Sequence, residues 1–517
     1  MKIPSNIINS LTNKKIVLLG LGKEGLSTYH FLRQLLPNQP LAVADENHQL
    51  PEDLINDKHL ITHLGDSYLN QLAAYELIFI SPGIPSSITQ VQSAVEAGAK
   101  LSSNMQLFLE IIQEIKQSST KTIAKLPTPV IIGVTGTKGK STTSSMIHHM
   151  LDLSGVKSTL IGNIGQPALS MINNANSNDC FVIEMSSHQL STLSISPDIA
   201  VIQEITSEHL DYYKDTDEYI RSKEAITKYQ KVEQYIIFNP TKQNTTKIAS
   251  LSPGNRINFI ADDLKQNDND DIQVYLKSQK LTFRDINVEE PIVEVSSVPL
   301  LGKHNLENVA PSIIVGKLFG LNSTQISSAI SSFTPLPHRL EKVALVDGVT
   351  YVNDSMATMP DAAISALSCF GDSKIVLLAG GHERNQDFVP LAKTIVASNV
   401  KAMALFPANG ERLWQEVQKE LQSSNSNKTI QTKVVYSMPE ALQFAKKLAK
   451  SDDVVLLSPG AASFGIFKDY ADRGEQFREL VRKNQDKDAI WQLPNIASNP
   501  KQYHPKSLSK DDQQVYE

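Results

Sequence analysis

The residues with the most obvious chemistry lie in Gly133-Val-Thr-Gly-Thr-Lys-Gly-Lys-Ser-Thr142. An apolar run, Val130 to Val134, precedes this stretch, and a helical pattern, Thr143 to Leu153, follows it. A glycine-rich loop between strand and helix can aim backbone N–H groups at phosphate oxygens. Lys140 can reach the β- and γ-phosphates, and Ser141 can bind Mg²⁺. The general phosphate-loop pattern wants glycine at position 134, which is Val134; Gly133 lies one residue early. A Gly/Thr-rich surface turn with an incidental lysine is the plain alternative, and the strand–loop–helix context favours the phosphate loop.

Other candidates surround it in the chain. Glu184 ends the buried run Phe181-Val182-Ile183. A carboxylate there suits a metal-binding role, with a solvated strand-end acid as the alternative. His209 lies in Thr206-Ser-Glu-His-Leu-Asp211-Tyr-Tyr, and Lys223 in a helical stretch. Alone, each reads as a structural histidine and a solvated lysine. Further upstream, Gly20, Gly22 and Gly25 follow the strand Ile16 to Leu19 with G-x-G-x-x-G spacing. A helix over Leu26 to Leu36 and a strand over Leu41 to Val43 come next, with Asp45 at the strand's end. That is a dinucleotide-binding layout, in which a helix N-terminus faces phosphate. The strand Leu77 to Ile80 runs into Ser81-Pro-Gly83-Ile-Pro85, a loop at a strand's C-terminal end.

These elements imply an α/β protein of three domains. The 517 residues are too many for a single core. The expected division is a Rossmann-like domain over 1–115, a Ser/Thr/Lys/Pro-rich linker over 116–129 and a central P-loop ATPase-like domain over 130–334. A C-terminal Rossmann-like domain over 335–490 and a polar tail over 491–517 follow. Short buried runs at Ala200 to Ile202, Val349 to Val352, Ile375 to Leu378, Ala402 to Leu405 and Val454 to Leu457 read as strands of mostly parallel sheets. The polar stretches at 241–247 and 262–271 read as surface loops, and the chain beyond Pro494 as a frayed tail.

Composition narrows the class. With Lys+Arg 49 against Asp+Glu 55 the net charge is −6, so a basic field for nucleic acid is absent. Two cysteines, Cys180 and Cys369, exclude a disulfide framework and a multi-cysteine metal site. The first apolar run is short and followed by glycines, so it reads as a buried strand and not a signal peptide. No apolar stretch reaches the roughly 18 residues of a transmembrane helix, and a cytoplasmic protein without membrane partners is expected.

T-G-T-x-G-K-S-T, E-x-S-S-x-Q-L and S-E-H-L-D-Y-Y together resemble the Mur ligase family, which extends the peptide of the peptidoglycan precursor at the expense of ATP. The likeness continues through Gly302-Lys-His-Asn305, Leu336-Pro-His-Arg339-Leu-Glu341, Asn353-Asp354-Ser355 and Leu457-Ser458-Pro459-Gly-Ala-Ala-Ser463-Phe464. Its motifs run in order over about 16–480. The N-terminal half is similar to the glutamate-adding branch, as is Asn163-Ile-Gly-Gln-Pro167, and the Asp-Asn-Pro-Arg motif of the diaminopimelate- or lysine-adding branch is missing.

The resemblance implies ATP and two Mg²⁺ as cofactors. UDP-N-acetylmuramoyl-L-alanine and glutamate are the implied substrates, and the chain is expected to act as a monomer. It places ATP on Gly136, Thr137, Gly139, Lys140, Ser141, Thr142, Asn305, Asn308, Arg339 and Asp354. It places the uridine diphosphate on Gly22, Asp45, Ser81 and Gly83, and the muramoyl part on Asn163. The implied metal ligands are Ser141, Glu184, His209 and Lys223, the lysine as its CO₂ carbamate; Lys140, Glu184, His209 and Lys223 would be catalytic. Glutamate would meet Thr358, Arg384, Ser463 and Tyr470.

One stretch departs from the family. The D-glutamate pattern Asp-Ser-Lys-Ala-Thr-Asn is here Asp354-Ser-Met356-Ala-Thr358-Met359. Methionine cannot pair with a carboxylate, and Arg384, in Gly380-Gly-His-Glu-Arg-Asn-Gln-Asp387, is the nearby replacement. D-glutamate is therefore the first expectation and L-glutamate the alternative. More distant readings are a folylpolyglutamate synthase-like ligase, an NAD(P)-dependent oxidoreductase resting on Gly20, Gly22, Gly25 and Asp45, and a non-enzymatic nucleotide switch.

Overall fold

The computed structural model describes residues 3–163, 165–177, 179–208, 212–261 and 272–483. The chain divides into two compact units, one ending at Pro335 and the other beginning at Leu336.

The first unit holds two sheets joined by a common core. One is a five-stranded parallel sheet in the order Leu60–Leu64, Leu41–Asp45, Ile16–Leu19, Leu77–Ile80, Lys100–Ser102. Its central strand, Ile16–Leu19, is buried at every residue, as a strand covered on both faces must be. The second sheet has nine strands, with Val130–Thr135 between Ile199–Ile202 and Cys180–Glu184. It is parallel from Ser158–Gly162 across to Gln273–Lys277 and ends in antiparallel pairs with Lys280–Arg284 and Glu289–Glu294. The helix Asn104–Gln117 ties the two sheets together. Phe108 on that helix meets Phe181 of the second sheet edge to face, with ring centroids 5.1 Å apart and both rings fully buried. Each such ring contributes roughly 1.5–3 kcal/mol through burial alone.

Several expectations need correction. The stretch 116–129 is no plain linker: the preceding helix runs to Gln117, and Thr122–Ile123 pairs with Leu126–Pro127 in a small hairpin. Leu126 is buried, because the apolar residue in this polar stretch finds the core. Residues 241–247 are not a loop, since a helix covers Gln243–Ala249 and buries Thr245, Ile248 and Ala249. Lys223 lies between the helix Thr216–Arg221 and a short 3₁₀ turn, Glu224–Ile226, and not inside a helix. The first glycine-loop helix spans Lys23–Leu35, three residues earlier than expected. The stretch 262–271 and the tail from 484 lie outside the described residues. Among the described residues no helix is long and apolar enough to cross a membrane.

The second unit is a six-stranded sheet in the order Glu341–Val346, Val349–Asn353, Val454–Leu457, Ile375–Gly380, Val400–Phe406, Gln431–Val434. Its first pair is antiparallel and the others are parallel. The expected strands are all present, Val454–Leu457 with the expected bounds and the others extended by a residue or two at their ends.

Asp198 pins the start of the phosphate-loop strand. Its Oδ2 accepts from the Ile131 N–H at 2.7 Å and pairs with Lys116, while its Oδ1 accepts from Gln234 at 2.9 Å. Both partners of the ion pair are almost fully buried. Asp198→Ala leaves a buried ammonium and a buried N–H without acceptors. It should cost about 3–5 kcal/mol, seen in calorimetry as a lowered midpoint for the first unit with the second unit's transition unmoved.

Candidate functional site

The loop after Val130–Thr135 is closed by glycine geometry. Gly139 has φ +84°, and a Cβ there would lie 2.2 Å from Asn308 Oδ1. No other residue fits this position. Gly133, by contrast, is part of the strand, packed under Pro197 and Met185, which explains why the loop lacks a glycine at 134. The loop's glycines are Gly136 and Gly139, and the helix Lys140–Leu153 begins immediately after them. Ser141 and Thr142 thus stand in its first turn, where N–H groups and dipole favour an anion.

The side chains around the loop converge. Lys140 Nζ donates to the carbonyls of Gly136 at 2.9 Å and Thr137 at 2.8 Å. Lys223 Nζ donates to the same Gly136 carbonyl at 3.2 Å and sits 4.7 Å from the centre of the Tyr219 ring. Lys223 is 1% exposed. Burial, and then the neighbouring Lys140 charge, hold its amine well below the usual lysine range, with Glu208 opposing. The Tyr219 hydroxyl is 3.0 Å from Thr137 Oγ1, which also accepts from the Thr206 N–H at 2.9 Å. Two residues that the sequence reading did not single out, Tyr219 and Gln203, therefore shape the site. Gln203 Nε2 donates to Thr143 Oγ1 at 2.7 Å and to the Glu307 carbonyl at 3.1 Å, tying the loop helix to the helix His304–Leu318. The signal for Gln203 was its place directly after the strand Ile199–Ile202.

Asn305 and Asn308 head the helix His304–Leu318. Asn308 Nδ2 donates to Asn305 Oδ1 at 2.7 Å, and the Asn308 carbonyl accepts from Thr143 Oγ1 at 3.0 Å. Glu184 ends the strand beside the phosphate-loop strand, paired in register with Val134. Its Oε1 accepts from Asn163 Nδ2 at 2.9 Å, while its Oε2 is buried with no partner. A buried carboxylate oxygen left over at this place fits a hard cation, which takes oxygen ligands. Among the described residues there is no cluster of three or more His, Cys, Asp or Glu. His209 lies outside the described residues.

At the other sheet, Gly22, Asp45, Ser81 and Gly83 gather at the C-terminal ends of three neighbouring strands, where open α/β sheets take ligands. Asp45 organises the loop: Oδ2 accepts from the Leu21 N–H at 2.6 Å and Oδ1 from the Asn47 N–H at 2.9 Å. Ser81 Oγ donates to the Gly20 carbonyl at 2.8 Å. A Cβ at Gly25 would strike that carbonyl at 2.0 Å, whereas around Gly22 and Gly83 no protein atom stands within 4 Å of a Cβ.

In the second unit, Asp354, Thr358, Arg384 and Ser463 lie in loops after the three adjacent strands Val349–Asn353, Val454–Leu457 and Ile375–Gly380, and Tyr470 opens the helix Tyr470–Lys483. Arg384 lies over the Phe464 ring at 5.8 Å. Gln386 Nε2 donates to the Thr358 carbonyl at 3.3 Å, and Ser355 Oγ to the Tyr470 carbonyl at 2.7 Å. Arg473, fully buried, donates to Ser355 Oγ at 2.9 Å, the Ser355 carbonyl at 2.7 Å and the Ala461 carbonyl at 3.1 Å. Arg339 lies just ahead of Leu340, whose N–H donates to Asp354 Oδ1 at 3.1 Å; Ser458 Oγ donates to Oδ2 at 2.7 Å. Burial nevertheless pushes the Asp354 carboxyl up to about 7.

The folded second unit therefore keeps a proton on Asp354 that the unfolded chain releases. The contribution of this group to stability is full below about pH 3.8 and is lost as pH rises from there through about 7. The slope should reach at most about 1.4 kcal/mol per pH unit, and Asp354→Asn should flatten it in denaturant titrations of the second unit run across that window.

Residues 14–103 match the model of the Mur ligase MurD-like N-terminal domain, 134–316 the Mur ligase middle domain, and 338–460 the Mur ligase glutamate ligase domain. The chain is 30% identical over 473 residues to a UDP-N-acetylmuramoylalanine–D-glutamate ligase of Acetivibrio thermocellus, covering 91% of this chain and 97% of that one. It is 30% identical over 494 residues to a UDP-N-acetylmuramoyl-L-alanine–L-glutamate ligase of Xanthomonas campestris pv. campestris, covering 95% and 99%. The structure of MurF ligase from Thermotoga maritima in complex with ADP superposes with a TM-score of 0.54 at 17% identity, covering 94% of this chain and all of that one; this likeness concerns the fold. An N-terminal glycine-loop sheet, a phosphate loop and a third α/β sheet in this order, each matched by its own domain model, make the chain a member of the Mur ligase family.

Proposed function

We propose that this protein joins glutamate, D-glutamate in the first place, to UDP-N-acetylmuramoyl-L-alanine, using ATP, as a monomer in the cytoplasm. The observation that carries the reading is the convergence of Lys140 and Lys223 on the Gly136 carbonyl of a phosphate loop flanked by Glu184. Relatives bearing both glutamate-ligase names, at 30% identity over more than nine-tenths of the chain, support it.

The chemistry has two steps. The alanine carboxylate attacks the γ-phosphorus of ATP, ADP leaves, and an acyl phosphate forms. The glutamate amine then attacks the acyl carbon, inorganic phosphate leaves and the nitrogen loses a proton. Forming an amide from two ions in water is uphill, and phosphoryl transfer drives it. This chain's part is positioning and charge neutralisation. Lys140, the loop N–H groups and the first turn of the helix Lys140–Leu153 receive the phosphates. Asn305, Asn308, Arg339 and Asp354 are assigned to the nucleoside and phosphates, and Asn163 to the muramoyl part. Ser141 and Glu184 would hold Mg²⁺, which supplies charge neutralisation on the phosphates. Lys223, with an amine held below the usual range, is suited to react with CO₂. The resulting carbamate is an anionic oxygen donor, and His209 is assigned beside it.

The second reading, L-glutamate, is favoured by Met356 and Met359 in the amino-acid loop and by the L-glutamate ligase relative, which matches 99% of its own length. Phosphate release from ATP with UDP-N-acetylmuramoyl-L-alanine and either glutamate isomer decides between them. D-glutamate-dependent release supports the first reading, L-glutamate-dependent release the second, and release with neither isomer overturns both. Lys140→Ala should lower that rate by about 10²–10³-fold or more while leaving affinity for the UDP substrate within about twofold, as read by titration calorimetry. Arg384→Ala should raise the glutamate KM by about 10–100-fold, the worth of a bidentate charged hydrogen bond, with the ATP KM unchanged; an unaltered glutamate KM removes Arg384 from the pocket.

A further inference from the structure

Glu24 stands in the first turn of the helix Lys23–Leu35, two residues after Gly22. Its side chain does not face the glycine loop's ligand side with a free charge. Oε1 accepts from Gln189 Nε2 at 2.5 Å, a contact between residues 165 apart in sequence. Oε2 is buried without a partner. Burial raises the carboxyl's pKa, with the Gln189 hydrogen bond opposing.

Gln189 is committed at both ends of its amide. While Nε2 reaches Glu24, Oε1 accepts from the Ser186 N–H at 3.0 Å, and Ser186 Oγ accepts from the Gln189 N–H at 3.2 Å. This capping box fixes the turn that leaves the strand Cys180–Glu184, two residues after Glu184. On the other side, Asn104 Nδ2 donates to the Glu24 carbonyl at 3.3 Å, and Asn104 Oδ1 accepts from the Leu169 N–H at 3.2 Å. A polar chain thus runs from the N-terminal glycine loop to the metal-carboxylate turn, inside one compact unit. Holding a carboxyl there with one oxygen unpaired is costly, and packing alone does not call for it.

We infer that Glu24 is a positioning residue for the ligation: through Gln189 it sets the turn after Glu184 relative to the loop that takes the substrate's nucleotide end. This inference rests on the proposed function. One substrate would have its diphosphate at Gly22 and its reacting carboxylate near Glu184, and a shift of the order of 1 Å between the two would cost about 10²-fold in rate.

The test uses the full chain with Glu24→Ala, Glu24→Gln, Gln189→Ala and the double alanine variant. Glu24→Ala and Gln189→Ala should each lower kcat about 10-fold or more with the ATP KM unchanged. The double variant should be no worse than the poorer single one, since residues acting through one contact are not additive. Glu24→Gln, whose amide oxygen can accept the same hydrogen bond, should return kcat to within about threefold. Additive losses, an unimpaired Glu24→Ala, or a Glu24→Gln as poor as Glu24→Ala overturns the inference. A second readout needs no turnover: UDP alone should increase hydrogen-exchange protection of the 185–190 turn in the wild type and in Glu24→Gln, and not in Glu24→Ala. Absence of that protection in the wild type also overturns it, whereas a wild type that shows it but releases no phosphate with either glutamate defeats only the proposed reaction.

Discussion

Two lysine amines share one carbonyl oxygen, that of Gly136. Two ammonium groups at such a place repel, and the more buried one yields. Lys223 has no water to solvate its charge, so its amine is pushed toward neutrality. Lys140 is only half-buried and keeps its position on the loop carbonyls. The result is one lysine held on the loop carbonyls and, beside it, a second whose charge burial disfavours. Neither is so placed without the loop geometry, because the Gly139 backbone and Asn308 close the loop from behind. The Tyr219 ring completes it, backing Lys223 with its face while its hydroxyl meets Thr137.

That constraint lies in a unit whose two sheets are not free to move independently. Phe108 against Phe181, and Asp198 between Lys116 and the Ile131 N–H, fasten the helix after the first sheet to the strands of the second. The seam continues in Gln106, which donates to Ser194 Oγ at 3.0 Å and accepts from the Ser194 N–H at 2.9 Å. Both loops therefore belong to one compact unit, and on the proposed reaction a single substrate spans them. The polar residues Glu24, Asn104, Gln106 and Gln189 stand where apolar ones would pack as well, and what they add is direction.

Much of this was legible in the residues. The buried strands were readable because both faces of a parallel sheet are covered, so Ile16 to Leu19 and Val454 to Leu457 are unbroken apolar runs. The phosphate loop was readable because its glycines, lysine and hydroxyl residues fall between a buried apolar run and a helical pattern. What escaped was whatever depends on distant partners. Gln203, Tyr219 and Glu24 gain their roles from Thr143, Lys223 and Gln189, and nothing in their own neighbourhoods announces it. The helix Gln243–Ala249 escaped because its Asn and Thr residues prefer turns, and only the burial of Thr245, Ile248 and Ala249 overrides that preference. The stretch 116–129 was misread because a few apolar residues, Leu126 above all, outweigh its polar composition once a core is near.

The amino-acid end poses a different problem. The loop bearing Met356 and Met359 has lost a cation relative to the family pattern, yet it has not loosened. Asn353 Nδ2 donates to the Gly474 carbonyl at 3.2 Å and meets His338 Nδ1 at 2.9 Å, and Arg473 holds both the hydroxyl and the carbonyl of Ser355. The cation proposed for the glutamate, Arg384, comes from the end of Ile375–Gly380, on the far side of Val454–Leu457 from the Met356 loop. It is steadied over the Phe464 ring and brings a planar fork in place of a point charge. The two isomers of glutamate carry the same charges at the same bond lengths and differ only in the direction from which each carboxylate is presented. Moving the cation from one strand end to another changes that direction while leaving charge and loop backbone intact. On the proposed reaction, with Arg384 as the glutamate cation where position 356 offers none, the choice between the isomers is read at the strand ends of the second unit, and the phosphate-loop machinery of the first unit has no part in it.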